Sequence, residues 1–234
     1  MTRAPIAVAL DGPDLETITA WAAAAGPSVS TMKVGLETYL RDGAAAVRAV
    51  REAAPDCALF LDLKLHDIPN TVAGASRSVA AIAPDFLTVH ASGGSAMIRA
   101  AADALPDTRI VAVTVLTSMS EDDLRAVGLL GPAIEAVRRL AALSVAAGAR
   151  AIVCSPQEVA AVRAEVGDAA VLITPGVRPD PAGRSDDQAR VATPERALAD
   201  GADLLVIGRP ITAAPDVAVA ARELAQRLTR FSAP

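Results

Sequence analysis

Eight short apolar runs punctuate the chain: Ile6–Leu10, Thr31–Val34, Ala58–Leu63, Phe86–His90, Ile110–Leu116, Ala151–Cys154, Val171–Thr174 and Leu204–Ile207. Their length and their β-branched and apolar content read as strands. None alternates strictly between apolar and polar residues, as expected where both faces of a parallel sheet are covered by helices. Between the runs, segments such as Leu15–Ala25, Ala44–Ala53, Ile134–Ala147 and Val217–Leu228 carry apolar residues at three- and four-residue spacing and read as helices. Gly26-Pro27, Pro55-Asp56, Pro106-Asp107 and Gly131-Pro132 fall between periodic segments and mark turns. Eight alternating units in 234 residues predict an α/β fold, a (β/α)8 TIM barrel forming a single domain over residues 1–234, close to the ~250 residues such barrels take. A doubly wound open sheet is the rival. It usually carries a G-x-G-x-x-G turn after the first strand or a G-x-x-x-x-G-K-[ST] loop, and neither occurs here.

Composition removes several functional classes. A formal net charge of -5 argues against a partner as large and anionic as DNA or RNA, which selects a basic face. One Trp, one Tyr and three Phe are too few for a base-stacking platform. Mean hydropathy is positive, yet no apolar run approaches the ~18 residues of a membrane span; alanine-rich helices and short buried strands supply the apolarity. The run Ile6–Leu10 is too short for a signal peptide core and ends at Asp11, so the expectation is a cytoplasmic protein with an intact N-terminus. Cys57 and Cys154 stand far apart, outside any C-x-x-C or Cys/His cluster, and read as small apolar residues rather than a disulfide or a zinc site.

Ionisable residues gather at the ends of the predicted strands, where barrels build their sites. Asp11 follows strand one, Lys33 lies near the end of strand two, Asp62-Leu63-Lys64 ends strand three and His90 ends strand four. Thr117 follows strand five and Gly208-Arg209 follows strand eight. Singly each has a plain explanation: Asp11 as a helix cap, Lys33 as a rim lysine, His90 as a hydrogen-bonded core residue. Together they describe a site. In an extended strand Asp62 and Lys64 project to the same face, and a carboxylate beside the ammonium keeps the lysine protonated, suited to donating a proton rather than forming a Schiff base. Asp67-Ile68-Pro69 then leaves the strand, with Pro69 near the first turn of the next helix and Thr71 behind it. At the far side, Ile207-Gly208-Arg209-Pro210 and Thr174-Pro175-Gly176-Val177-Arg178 read as the two halves of a small phosphate cradle. The Pro/Gly-rich, charged connection from Pro175 to Gln188 reads as a lid.

These strings resemble the orotidine 5'-phosphate decarboxylases of the short bacterial type, over essentially the whole chain. The resemblance rests on DLKLHDIPNT at Asp62–Thr71, LTSM at Leu116–Met119, TPGVRP at Thr174–Pro179, IGRP at Ile207–Pro210, Asp11 and the Lys33 of MKVG, all in the family's order. It implies decarboxylation of orotidine 5'-monophosphate to uridine 5'-monophosphate with no metal or organic cofactor. Lys64 resembles the family's lysine that protonates C6 of the pyrimidine. By the same resemblance Asp62 faces the substrate carboxylate, Lys33 bridges Asp62 and the ribose, and Asp11 binds a ribose hydroxyl. Asp67, Ile68 and Thr71 resemble the part that crosses an interface to complete a partner's site, which implies an obligate homodimer. Thr117 is matched to the pyrimidine contact, with Ser118 and Ser120 close enough in sequence to compete. Arg178, Gln188, Gly208 and Arg209 are matched to the phosphate and lid residues.

Two other readings stand beside this one. A metal-dependent phosphosugar decarboxylase or epimerase shares the barrel and a D-x-K-x-x-D signature, but His66 and His90 are the only histidines, too few for an epimerase's His/Asp metal cluster. A nucleotide-binding barrel without catalysis is the third; intact Asp62, Lys64 and Asp67 speak against a decayed site.

Overall fold

A computed structural model of the chain describes residues 3–129, 131–178 and 192–231. The elements follow the order β1 (Ala4–Ala9), α1 (Leu15–Ala25), β2 (Val29–Gly35), α2 (Leu36–Asp42), α3 (Ala44–Ala53), β3 (Ala58–Leu65) and α4 (Pro69–Ser78). Then come β4 (Phe86–His90), α5 (Gly94–Ala104), β5 (Arg109–Val113), α6 (Glu121–Ala126), α7 (Ala133–Ala146), β6 (Ala151–Val153) and α8 (Val159–Val166). The chain closes with β7 (Val171–Thr174), α9 (Pro194–Ala199), β8 (Leu204–Ile207), α10 (Arg209–Thr212) and α11 (Val217–Phe231). The strands pair in sequence order, all parallel, and β8 returns to β1 to close the barrel. The rival open sheet is thereby excluded.

Continuous apolar strands serve two cores at once. Ala7, Phe60, Phe86, Val111, Ala151, Ile173 and Leu204 pack together with Ala58, Val153, Val171 and Val206, all on strands, and fill the barrel interior. Their neighbours along the strands, including Ile6, Val8, Leu59, Leu61, Leu87, Ile110, Ile152, Leu172 and Leu205, pack outward against helix residues such as Ile18, Val47, Ile98 and Val137. Period-two side-chain placement therefore operates as usual, with both faces apolar because both are dry. Burial of each large side chain contributes roughly 1.5–3 kcal/mol.

Local chemistry sets the ends. Asp14 caps α1, its carboxylate accepting from the Thr17 N–H at 2.8 Å; Asp11 is thus not the cap and is left for other work. Ser120 and Asp123 form a capping box at α6. Pro69 occupies the first turn of α4, where its missing N–H costs nothing. Strand five is shorter than the apolar run Ile110–Leu116 suggests. It ends at Val113, and the Thr114 hydroxyl then bonds to the carbonyl of Val153 at 2.8 Å, so Val115 and Leu116 belong to the loop. Strand three is longer than predicted, reaching Leu65. Among the described residues no helix is long and apolar enough to cross a membrane.

Candidate active site

The C-terminal mouth of the barrel holds a cavity of about 700 Å³. Phe60, Val113, Val153 and Val206 form its apolar floor, directly above the barrel-interior core. Asp11, Lys33, Asp62 and Lys64 form one charged wall, and Arg178, Gly208 and Arg209 stand on the rim.

The charged wall is a chain of alternating sign. Lys33 Nζ lies 3.7 Å from Asp11 Oδ2 and 3.2 Å from Asp62 Oδ2. Lys64 Nζ donates to both oxygens of Asp62, at 2.8 and 2.9 Å. Burial pushes the Asp62 carboxyl up, but the ammonium groups of Lys33 and Lys64 outweigh it and hold the pKa at about 2. Burial likewise pulls Lys33 down, and the carboxylates of Asp62 and Asp11 overcome it, leaving Lys33 above an ordinary lysine. Asp62 and Lys33 are therefore both ionised near neutral pH, a buried pair of opposite charge beside an apolar floor.

The backbone that displays Asp62 and Lys64 departs from the regular strand expected of them. Opposite β4, Phe60 pairs with Phe86 and Leu61 with Leu87, but the next pairing is Leu65 with Val89. Asp62, Leu63 and Lys64 thus face the single residue Thr88, a bulge in β3, and Lys64 takes the left-handed φ of 49°. The two side chains meet, as expected, but through a bulge rather than through simple alternation.

Thr117 lines the cavity, whereas Ser118 and Ser120 do not; Ser120 is committed to its helix cap. Of the three, Thr117 is the one the structure places at the cavity. Arg178 sits where the chain leaves and re-enters the rim: its N–H bonds to the Ala192 carbonyl at 3.0 Å, and the Ala192 N–H to the Gly176 carbonyl at 3.2 Å. Gln188, and with it most of the predicted lid, lies outside the described residues. Asp67, Ile68 and Thr71 are exposed and do not line this chain's cavity; the Asp67 carboxylate accepts from the Ile68 N–H at 2.6 Å. Among the described residues, Asp11, Lys33, Asp62, Lys64, Thr117, Arg178, Gly208 and Arg209 come together at one cavity, and Asp67, Ile68 and Thr71 stay apart from it.

The chain matches the Orotidine 5'-phosphate decarboxylase / HUMPS family over residues 4–224. It belongs to that family. The orotidine 5'-phosphate decarboxylase of Thermobifida fusca is 69% identical over 98% of both chains. That of Frankia casuarinae is 55% identical, covering 97% of this chain and 88% of its own. The crystal structure of orotidine 5'-phosphate decarboxylase from Lactobacillus acidophilus superposes with a TM-score of 0.83 at 35% identity, covering 98% of this chain and all of the other.

Three residues at this decarboxylase-family site escaped the sequence reading. Glu37, in the first turn of α2, lines the cavity. Gly35 leaves the space the charged wall needs: a Cβ there would stand 2.5 Å from Asp11 Oδ1 and 2.9 Å from Lys33 Nζ. Thr88 is fully buried, and its hydroxyl donates to Asp62 Oδ1 at 3.0 Å. A glycine two residues after a site lysine, and a threonine inside an apolar strand facing the barrel interior, were the available signals. His90, half-buried, stacks at a tilt against His66 with 5.4 Å between ring centres. Its pKa is lowered by burial and by the charges of His66 and Lys64, against the pull of Asp62.

Proposed function

We infer that this chain decarboxylates orotidine 5'-monophosphate to uridine 5'-monophosphate, the last step of pyrimidine nucleotide synthesis. The observation that carries the reading is the Asp11–Lys33–Asp62–Lys64 array of alternating charge, with Lys33 and Asp62 buried, over an apolar floor, in a chain whose curated relatives at 69% and 55% identity are orotidine 5'-phosphate decarboxylases. Departure of carbon dioxide from C6 leaves a carbanion in the ring plane, where the π system does not delocalise it well. A fixed ammonium stabilises that charge without reorganising as it appears, and then supplies the proton. Lys64 has this role; Lys33 and Asp62 hold it in place. Asp62 also faces the substrate carboxylate, and their repulsion, relieved as carbon dioxide leaves, is a secondary contribution.

The remaining residues bind. Asp11 and Lys33 take the ribose, Thr117 the pyrimidine, and Arg178, Gly208 and Arg209 the phosphate; Gln188 joins the phosphate group on sequence grounds alone. Phosphate contacts far from C6 contribute binding energy that holds charged groups together, so the bare nucleoside should turn over more slowly even when saturating. The chemistry needs no metal and no organic cofactor.

The working form is a homodimer with shared sites, in which Asp67, Ile68 and Thr71 complete the partner's cavity. Supporting this, all three are exposed beside Lys64 yet outside their own cavity, and Ile68 is 66% exposed. The 234 residues act as one domain in the cytoplasm, with neither nucleic acid nor membrane as partner; the acidic net charge of -5 agrees.

The test is the orotate absorbance band of orotidine 5'-monophosphate in EDTA, followed with wild type and Lys64→Ala. Wild type should bleach the band, and Lys64→Ala should be slower by more than about a thousandfold. An unchanged band with folded wild type overturns the reading and brings metal-dependent phosphosugar substrates forward. Mixing Lys64→Ala with Asp67→Ala chains should restore one working site per heterodimer. No recovery after verified subunit exchange would confine Asp67 to its own chain's site.

A further inference from the structure

The bulge in β3 raises a question of support. Lys64 holds a left-handed backbone, φ 49°, which crowds the Cβ of any residue but glycine. The register against β4 skips from the Leu61–Leu87 pair to the Leu65–Val89 pair, so the peptide groups of the bulge lose their regular ladder partners. Such a conformation persists only where neighbours over-determine it.

Thr88 is the single β4 residue opposite the bulge. Its Oγ1 accepts from the backbone N–H of Lys64 at 2.7 Å and donates to Asp62 Oδ1 at 3.0 Å. One fully buried hydroxyl thus binds the backbone of the proton donor and the side chain of its carboxylate partner. A hydroxyl has the one donor and the spare acceptor that both contacts require. Valine has the same shape and neither capability.

We propose that Thr88 is a positioning residue for decarboxylation, locking the β3 bulge so that the Lys64 ammonium and the Asp62 carboxylate stand at a fixed separation on the cavity's charged wall. This rests on the reading of Lys64 as the proton donor. Misplacing a reacting group by about 1 Å costs on the order of a hundredfold in rate, whereas the ribose and phosphate contacts lie on other strands and none of them bonds to Thr88 directly, Lys33 touching only the far oxygen of Asp62.

The experiment compares Thr88→Val, Thr88→Ala and Thr88→Ser with wild type and Lys64→Ala, measuring kcat and KM for orotidine 5'-monophosphate, affinity for uridine 5'-monophosphate and thermal midpoint. Thr88→Val should lose kcat by roughly 10–100-fold, with KM and product affinity within about threefold. Thr88→Ser and Thr88→Ala both lack the methyl group and differ only in the hydroxyl, so Ser should retain most of the wild-type kcat and Ala should not. This pair decides the matter even if the valine variant does not fold. Wild-type kcat in Thr88→Ala, or equal losses in Ser and Ala, overturns the proposal. Parallel loss of product affinity and kcat in Val and Ala reduces Thr88 to a packing residue and also overturns it. If Lys64→Ala itself retains turnover, the underlying assignment of Lys64 fails instead.

Discussion

Gly35 shows how an absent side chain shapes the site. Its φ of -90° is open to any residue, so the constraint is purely spatial: Asp11 and Lys33 occupy the volume a Cβ would need. Asp11 is partly exposed, with 42% of its side chain accessible, and can swing away without unfolding the chain. Gly35→Ala should therefore leave the thermal midpoint within a few degrees of wild type while raising KM about tenfold, as expected when a binding contact is lost uniformly. Asp11→Asn should do much the same, and the two together should fall well short of additive because they remove one interaction. Additive losses, or a collapse of stability in Gly35→Ala, would show that the glycine serves something else. The pairing of Asp62 with Lys64 was readable from the string around it, since a carboxylate two residues from a lysine signals a pair. Gly35 was not, because the carboxylate it leaves room for, that of Asp11, follows β1 and reaches it only through space.

The β3 bulge is where local propensity and function part. A lysine in the left-handed region is strained, and glycine is the residue that adopts it freely. Lys64→Gly and Lys64→Ala both remove the ammonium and should both abolish turnover, yet Lys64→Gly should be the more stable by about 1 kcal/mol. Urea denaturation of the two variants checks this, and equal stability would mean that the bulge carries no strain at Lys64. Boundaries elsewhere were misjudged for a related reason. Apolar residues continue past Val113 to Leu116, but the strand stops where Thr114 bonds to a neighbouring carbonyl. Apolarity reports burial, and a buried loop residue such as Val115, 3% exposed, is indistinguishable from a strand residue by composition.

Two groups, the half-buried His90 and the buried Asp62, tie the stability of the barrel to pH, both in the same direction. His90 has a folded pKa below its ordinary 6.5, so in that interval the unfolded chain binds a proton that the folded chain resists. Its contribution is full above 6.5 and is lost as pH falls toward the folded value. Asp62 is lowered from 3.8 to about 2; its contribution, on the order of 2 kcal/mol, is full above 3.8 and disappears as pH falls through about 2. Stability should therefore decline in two stages on acidification, and His90→Gln should flatten the first without altering the second. Denaturation midpoints across a pH series would show it. A first stage unchanged by His90→Gln would move that titration to another group.

Eight apolar runs, the helical periodicity between them and the string Asp62–Thr71 carried the fold class, the strand order and most of the charged wall, because each depends on residues near in sequence. Strand spacing sets a barrel whether or not its contacts are known, and ionisable residues at strand ends can face only its mouth or its rim. What folding added depends on distance in space. The skip in register between β3 and β4, the left-handed turn at Lys64 and the Thr88 hydroxyl that spans both arise only when the two strands are laid side by side. The same holds for the gap left by Gly35, and for the separation of Asp67, Ile68 and Thr71 from the cavity of their own chain. Sequence reports what a residue can do; its neighbours across the barrel determine which of those things it does.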